Sequence, residues 1–150
     1  MKIQRRVLFM VSAMVLFAAA AYGQTAAETE SLLDAGEISF SQAAYFTLAS
    51  VVETPPDDPE AAFAEAGKRG WLPAGADGGG SVTLGDLSLL LVKAFNLKGG
   101  LMYRFFPSSR YAYREMTSRG FIEGRAYPDL KVSGELFLRI LGNILAGGTE

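Results

Sequence analysis

"VTLGDLSLLL", residues 82–91, sets the reading of the whole chain. Thr83 followed three residues later by Asp86 has the spacing of a capping box or a close variant, in which the hydroxyl accepts from the N3 amide and the N3 side chain returns to the cap. Beyond it, residues 87–95 are apolar nearly all round, as in a helix packed on both sides. Looser versions occur twice more, "ISFSQAAYFTLA" from Ile38 and "KVSGELFLRILG" from Lys131. Aligned on Gln42, Asp86 and Glu135, the starts lie 44 and 49 residues apart, a period typical of stacked supersecondary units. Ser39 with Gln42 makes a second box. In the third version Val132 falls at the cap position and Ser133 is the better cap.

Each start opens an apolar helical run. Leu136, Phe137, Ile140, Leu141, Ile144 and Leu145 form one continuous face, with Arg139 and Asn143 turned away. Over residues 42–52 the face is broader: Phe46, Ala49 and Val52, with Tyr45, Leu48 and Val51. Before the second and third starts stands a shorter helix with a glycine stop. In "PEAAFAEAGKRGWLPAG", Asp58 can cap, Pro59 suits the first helical position, and Gly67 or Gly70 terminates. In "SSRYAYREMTSRGFIEG", Ser109 can cap and Gly120 terminates. The unit is thus helix, glycine stop, apolar pair, short loop, capped helix, and Trp71 and Phe121 are expected to plug the core. "TPPDDP" from Thr54 is a linker, and "NLKGGLMYRFFP" from Asn96 is a connector with a short extended segment over residues 101–106.

The N-terminus carries Lys2, Arg5 and Arg6, an apolar run over residues 7–21, and small residues at Ala21 and Gly23, the pattern of a secretory signal with the mature chain starting near Gln24. The apolar run is shorter than the ~20 residues needed to span a bilayer, so no membrane span is expected once the signal is cleaved. The domain layout is therefore a signal peptide over residues 1–23, an N-terminal segment over 24–36 and one helical domain over 37–147. Cysteine is absent, which excludes a lipoprotein anchor, disulfides and thiolate metal sites. Loss of three basic residues with the signal leaves 11 Lys and Arg against 16 Asp and Glu, a net charge near −5. Residues 24–92 hold 11 acids and two bases, whereas residues 93–139 hold nine bases and four acids. The halves can complement each other across the fold, or the basic half can meet an anionic envelope polymer. A net acidic, exported chain with no basic run is not expected to bind nucleic acid.

"RGWLPAG" with "VTLGDL" and "RGFIEG" with "KVSGEL" resemble the S-layer homology family, whose units end a first helix near "GII.G" and open a second with "ITRAE". "EISFSQAA" matches the second half of a first, truncated unit, and the likeness runs over residues 37–146. It implies an all-α fold: a small bundle of three helix-loop-helix units, the first truncated, in an exported protein held noncovalently on a cell-wall polymer. The family's polymer grooves rely on the arginine of "ITRAE". That position holds Phe40, Leu84 and Ser133 here, none of which can pair bidentately with carboxylate or phosphate.

No histidine, cysteine, Gly-x-Ser-x-Gly elbow or phosphate-binding glycine loop is present, so no catalytic site is expected. Asp57 and Asp58 lie in a linker, where capping accounts for them, and Glu115 and Glu123 fall on different elements. "GADGGGSVTLGD" invites a calcium loop, but with Asp86 at position 12 only Asp77 adds a second carboxylate, so no metal or cofactor is expected. The surface candidate is "MYRFFPSSRYAYREM". Arg110 and Arg114 stand four apart, a repulsive spacing on an isolated helix, with Arg104, Tyr111 and Tyr113 near them in sequence. Acids of the N-terminal half can neutralise these arginines, or an anionic glycan or peptidoglycan can pair with them and stack on tyrosine. The expected role is a noncatalytic interaction module in the periplasm or at the cell surface, with polymer as ligand. The alternative is a structural or assembly protein docking to another envelope protein.

Overall fold

The structure, a computed structural model, describes residues 26–124 and 126–147; the signal expected over residues 1–23 lies outside the described residues. The chain divides into two compact units, residues 1–34 and 35–150. In the first, residues 26–33 are helical and the Asp34 N–H donates to Glu30 O at 3.1 Å. The second carries α1 (Phe40–Val51), α2 (Pro59–Lys68), α3 (Leu84–Ala94), α4 (Leu101–Phe105), α5 (Ser109–Ser118) and α6 (Gly134–Gly147). The fold is all-α. Among the described residues extended pairing is limited to two isolated antiparallel bridges, Ser39 with Ser81 and Thr83 with Lys131.

Those bridges belong to a closed ring. The Ile38 N–H donates to Val132 O (2.9 Å), the Val132 N–H to Val82 O (3.0 Å), and the Val82 N–H to Ile38 O (3.0 Å). All three side chains are buried. β-Branched residues suit extended backbone, and the caps that follow need it: Ser39 (φ −85°, ψ 163°) and Thr83 (φ −87°, ψ 159°) are both extended. One step on, the first helical N–H groups are satisfied around a second cycle, Phe40 to Gly80 O (3.0 Å), Leu84 to Leu130 O (2.8 Å) and Gly134 to Ala35 O (3.0 Å). Helix starts that would otherwise bury unpaired donors are thereby closed.

The ring corrects the register of the third start by one residue. Val132 stands with Ile38 and Val82, and Ser133 with Ser39 and Thr83, so the starts are 44 and 50 residues apart. Ser133 Oγ accepts from the Leu136 N–H at 3.2 Å, as its better capping chemistry implies. The Ser39–Gln42 box forms in both directions. At Thr83 only half of it forms, because Asp86 accepts from the Thr83 hydroxyl instead of returning to the cap N–H. Asp58 caps α2 and Pro59 opens it, as read from sequence. Ser109 does not cap α5: Ser108 holds the cap position, and the Ser109 hydroxyl donates to Asp86 Oδ1 at 2.6 Å, tying α5 to α3.

The two glycine stops are built alike. The Trp71 N–H donates to Ala66 O and the Gly70 N–H to Gly67 O; Phe121 to Met116 O and Gly120 to Thr117 O repeat the pattern 50 residues later. These are Schellman closures, with Gly70 at φ +69° and Gly120 at φ +77°, a region that penalises any side chain. Helix α1 packs on α2, and α3 on α5. Helix α3 is the most buried element, with Leu84, Leu87, Leu89, Leu90, Leu91 and Val92 inside. On α1 the expected face is displaced. Phe40, Ala43, Ala44, Thr47 and Leu48 are buried, Ala49 is exposed, and Phe46 is half-buried with its ring 6.3 Å from that of Phe137. On α6, Phe137, Ile140, Leu141 and Ile144 are buried, but Leu145 is half exposed, and Asn143 turns back to donate to Phe121 O. Trp71 is half-buried and carries the Arg69 guanidinium 5.1 Å above its ring.

Thr47 Oγ1 is buried without a hydrogen-bond partner. Thr47→Val removes that hydroxyl at constant shape, so it raises stability by about 1 kcal/mol in urea unfolding. Two glycine substitutions have opposite signs. Gly120→Ala costs about 1 kcal/mol because of its positive φ, whereas Gly142→Ala, exposed inside α6 with open space at the Cβ position, gains about 0.5–1 kcal/mol.

Candidate functional site

Helix α3 ends on Asn96 in the left-handed region (φ 49°), with the Leu97 N–H donating to Val92 O at 2.9 Å. The connector that follows is gripped from α5. Glu115 Oε2 accepts from the Gly100 N–H (2.8 Å), Glu115 Oε1 accepts from Arg119 Nε (2.7 Å), and the Arg119 guanidinium also donates to the Lys98 carbonyl. The Glu115 side chain is only 16% exposed. Burial works against its charge, but the Arg119 hydrogen bond, the Gly100 N–H and the Arg119 charge outweigh it, leaving the carboxyl below its ordinary range. The equivalent pair on α2, Arg69 with Glu65 at 2.8 Å, holds no connector.

Residues 101–106, expected as an extended connector, instead contain α4, a single helical turn and a half in which no residue is buried. Gly99 lets it fold back, since a Cβ there would collide with the Tyr103 ring. Tyr103 is half-buried, and burial raises its hydroxyl pKa above the ordinary value. Helices α4 and α5 line a shallow groove of about 320 Å³, with Leu101, Met102 and Tyr103 on one side and Tyr111, Arg114 and Glu115 on the other.

Of the residues singled out from sequence, Tyr111 and Arg114 come together in this groove, and the Tyr111 ring lies 6.5 Å from that of Phe106. Arg104 and Arg110 are exposed and do not line it. Tyr113 is not brought to the groove either. Its hydroxyl donates to Ala126 O at 2.5 Å, a bond that fastens the loop after α5.

No ion pair among the described residues joins Arg104, Arg110 or Arg114 to an acid of residues 35–92. Among the described residues the ion pairs are Arg69–Glu65, Arg119–Glu115 and Arg139–Glu135, and none uses Arg104, Arg110 or Arg114. Between Asp86 and Glu115 the sequence holds no acid but five bases, Lys93, Lys98, Arg104, Arg110 and Arg114. Lys93 is engaged internally, donating to Gly70 O at 2.6 Å.

Sequence reasoning missed the apolar side chains here. Leu101, Met102, Phe105 and Phe106 are 68, 59, 69 and 62% exposed. The signal was the run "LMYRFF" set between bases, which a connector leaves without a packing partner.

Three of the carboxylates weighed for other chemistry have structural work. Asp86 accepts from Ser109 at 2.6 Å and from Thr83 at 2.9 Å, and Asp58 Oδ1 accepts from the Ala61 N–H at 2.8 Å. Glu115 is committed to its clamp. No family model matches the chain, and no curated protein or solved structure matches it.

Because the folded carboxyl of Glu115 is lowered, its contribution to stability is complete above its ordinary value of 4.5 and is lost as pH falls from there through the folded value. Urea unfolding between pH 6 and pH 3 checks this: the wild-type chain loses stability below about pH 4.5 more steeply than Glu115→Gln.

Proposed function

We propose that this chain is an exported, noncatalytic interaction module of the bacterial cell envelope, built from three units like those of the S-layer homology family with the first truncated. Support for the three units comes from the cyclic hydrogen bonding of Ile38, Val82 and Val132 and from the twin glycine closures 50 residues apart. Support for export comes from the leader pattern of residues 1–23 alone. In the register of the ring, the position of the family's arginine is Phe40, Leu84 and Gly134, so binding through that side chain has no counterpart.

The ligand is an anionic cell-wall polymer met by the α4–α5 face. One observation carries this: among the described residues Arg104, Arg110 and Arg114 form no ion pair, while Tyr111 and Tyr103 stand beside Arg114 in an open groove. An unpaired guanidinium keeps its planar fork available for a phosphate or carboxylate, and a tyrosine face offers a sugar ring an apolar platform with a polar tip.

Protein-stripped sacculi mixed with the chain from Gln24 test the reading. Sedimentation at low salt falls at moderate salt, since exposed charges are screened over about 8 Å at 0.15 M. The double charge reversal Arg110→Glu with Arg114→Glu abolishes it without changing the helical circular-dichroism signal. Absence of sedimentation at either salt overturns polymer binding and leaves docking to an envelope protein as the function.

A further inference from the structure

The α4 edge has a second property that a glycan does not use. Four large apolar side chains, each more than half exposed, crowd into residues 101–106, whereas Leu33, Tyr127, Leu130 and Leu145, also exposed, are scattered along the chain. An apolar cluster of this kind left in water marks a contact surface. A sugar ring can stack on one aromatic face, but it gives the aliphatic side chains of Leu101 and Met102 little in exchange for their hydration. The exposed charged residues flanking α4 in sequence are basic, Lys98, Arg104 and Arg110, and Glu115, the nearest acid in sequence, is paired with Arg119, while Asp86 is held by Ser109 and Thr83.

We infer that the α4 edge is a contact surface for an anionic lipid bilayer, with Leu101, Met102, Phe105 and Phe106 entering the acyl boundary and Arg104, Arg110 and Lys98 meeting headgroup phosphates. Apolar side chains that enter shallowly and bases that stay at headgroup level are the two requirements of interfacial binding. Arginine meets the second easily, because its stem can lie along apolar surface while its head remains hydrated. The Glu115–Arg119 clamp supplies the rigidity: it fixes the connector at Lys98 and Gly100, so the edge is presented rather than collapsed onto the domain. The bilayer contact goes beyond polymer binding and does not depend on it. Sacculi contain no lipid, so the two readings fail separately.

The absence of cysteine gives a local reporter. In Pro107→Cys, beside α4, a polarity-sensitive fluorophore reads this edge and not the apolar leader; Ala64→Cys, exposed on α2, is the control. Vesicles of phosphatidylethanolamine with phosphatidylglycerol shift the emission at 107 to the blue and leave that at 64 unchanged, whereas phosphatidylcholine vesicles shift neither. Adding Leu101→Ser with Phe105→Ser weakens the apparent affinity roughly tenfold or more. Arg104→Glu, which leaves the apolar side chains in place, weakens it severalfold and only at low salt. A label at 107 that stays in water with both vesicle types overturns the inference and assigns the edge to a protein partner. An equal shift in the Leu101→Ser, Phe105→Ser chain, or with phosphatidylcholine, overturns it as well.

Discussion

Three backbone hydrogen bonds, passed in a circle among Ile38, Val82 and Val132, hold the domain in its arrangement. A single such bond adds only about 1 kcal/mol net, but a buried donor or acceptor left unmade costs about 1–3 kcal/mol. That asymmetry makes the ring an all-or-nothing contact. Displacing one segment strands a carbonyl on one neighbour and an N–H on the other. The three helices that begin at the ring, α1, α3 and α6, inherit their origins from it, and the second cycle through Phe40, Leu84 and Gly134 closes their first free N–H groups. Capping Ser or Thr at each start then satisfies a further donor from the side chain.

Local signals in the sequence were read correctly where they answer to local chemistry. The Ser39–Gln42 box, the Asp58–Pro59 start and the Gly120 stop each depend on four to six consecutive residues and stand where expected, and of Gly67 and Gly70, both open from sequence, Gly70 makes the closure. Register and face were harder, because they are decided by partners distant in sequence. Aligning the third start on Glu135 missed by one residue, since the alignment followed an acid, whereas the structure matches the β-branched residue that enters the ring. On α1 the small residues Ala43, Ala44 and Thr47 face inward and the aromatics Tyr45 and Phe46 sit at the margin, a choice set by close packing on α2 that hydrophobicity alone does not encode. For the surface candidate, residue type was legible and direction was not. Tyr111 and Arg114 share a groove, while Tyr113, two positions from Tyr111, is spent on a loop carbonyl.

Helices α2 and α5 are the same construction put to different ends. Both close on a Schellman glycine, both carry a Glu–Arg pair four residues apart, and both are followed by an aromatic residue. On α2 the arginine lies over Trp71; on α5 it reaches back to the Lys98 carbonyl, and its carboxylate partner takes the Gly100 N–H. The difference comes from what precedes each helix. A short Pro-rich linker leads into α2, whereas the connector before α5 contains Gly99 and Gly100 and can bend close enough to be held. A pair worth well under 1 kcal/mol as a surface contact becomes the support of a protruding edge.

The ring also fixes the order in which the domain can form. Its members lie 44 and 50 residues apart, so no two of them meet without closing a long loop, and the circle stays open until the segment around residue 132 is present. A chain made from its N-terminus onward can form α1, α2 and α3 as helices, but the ring cannot close before the segment around residue 132 has been made. Closing the ring therefore rests on contacts distant in sequence in spite of the helical content, the kind of contact that slows folding. Until that segment is present, Ile38 and Val82 each lack the partner that Val132 provides, and of the ring the starts of α1 and α3 share only the bond between them.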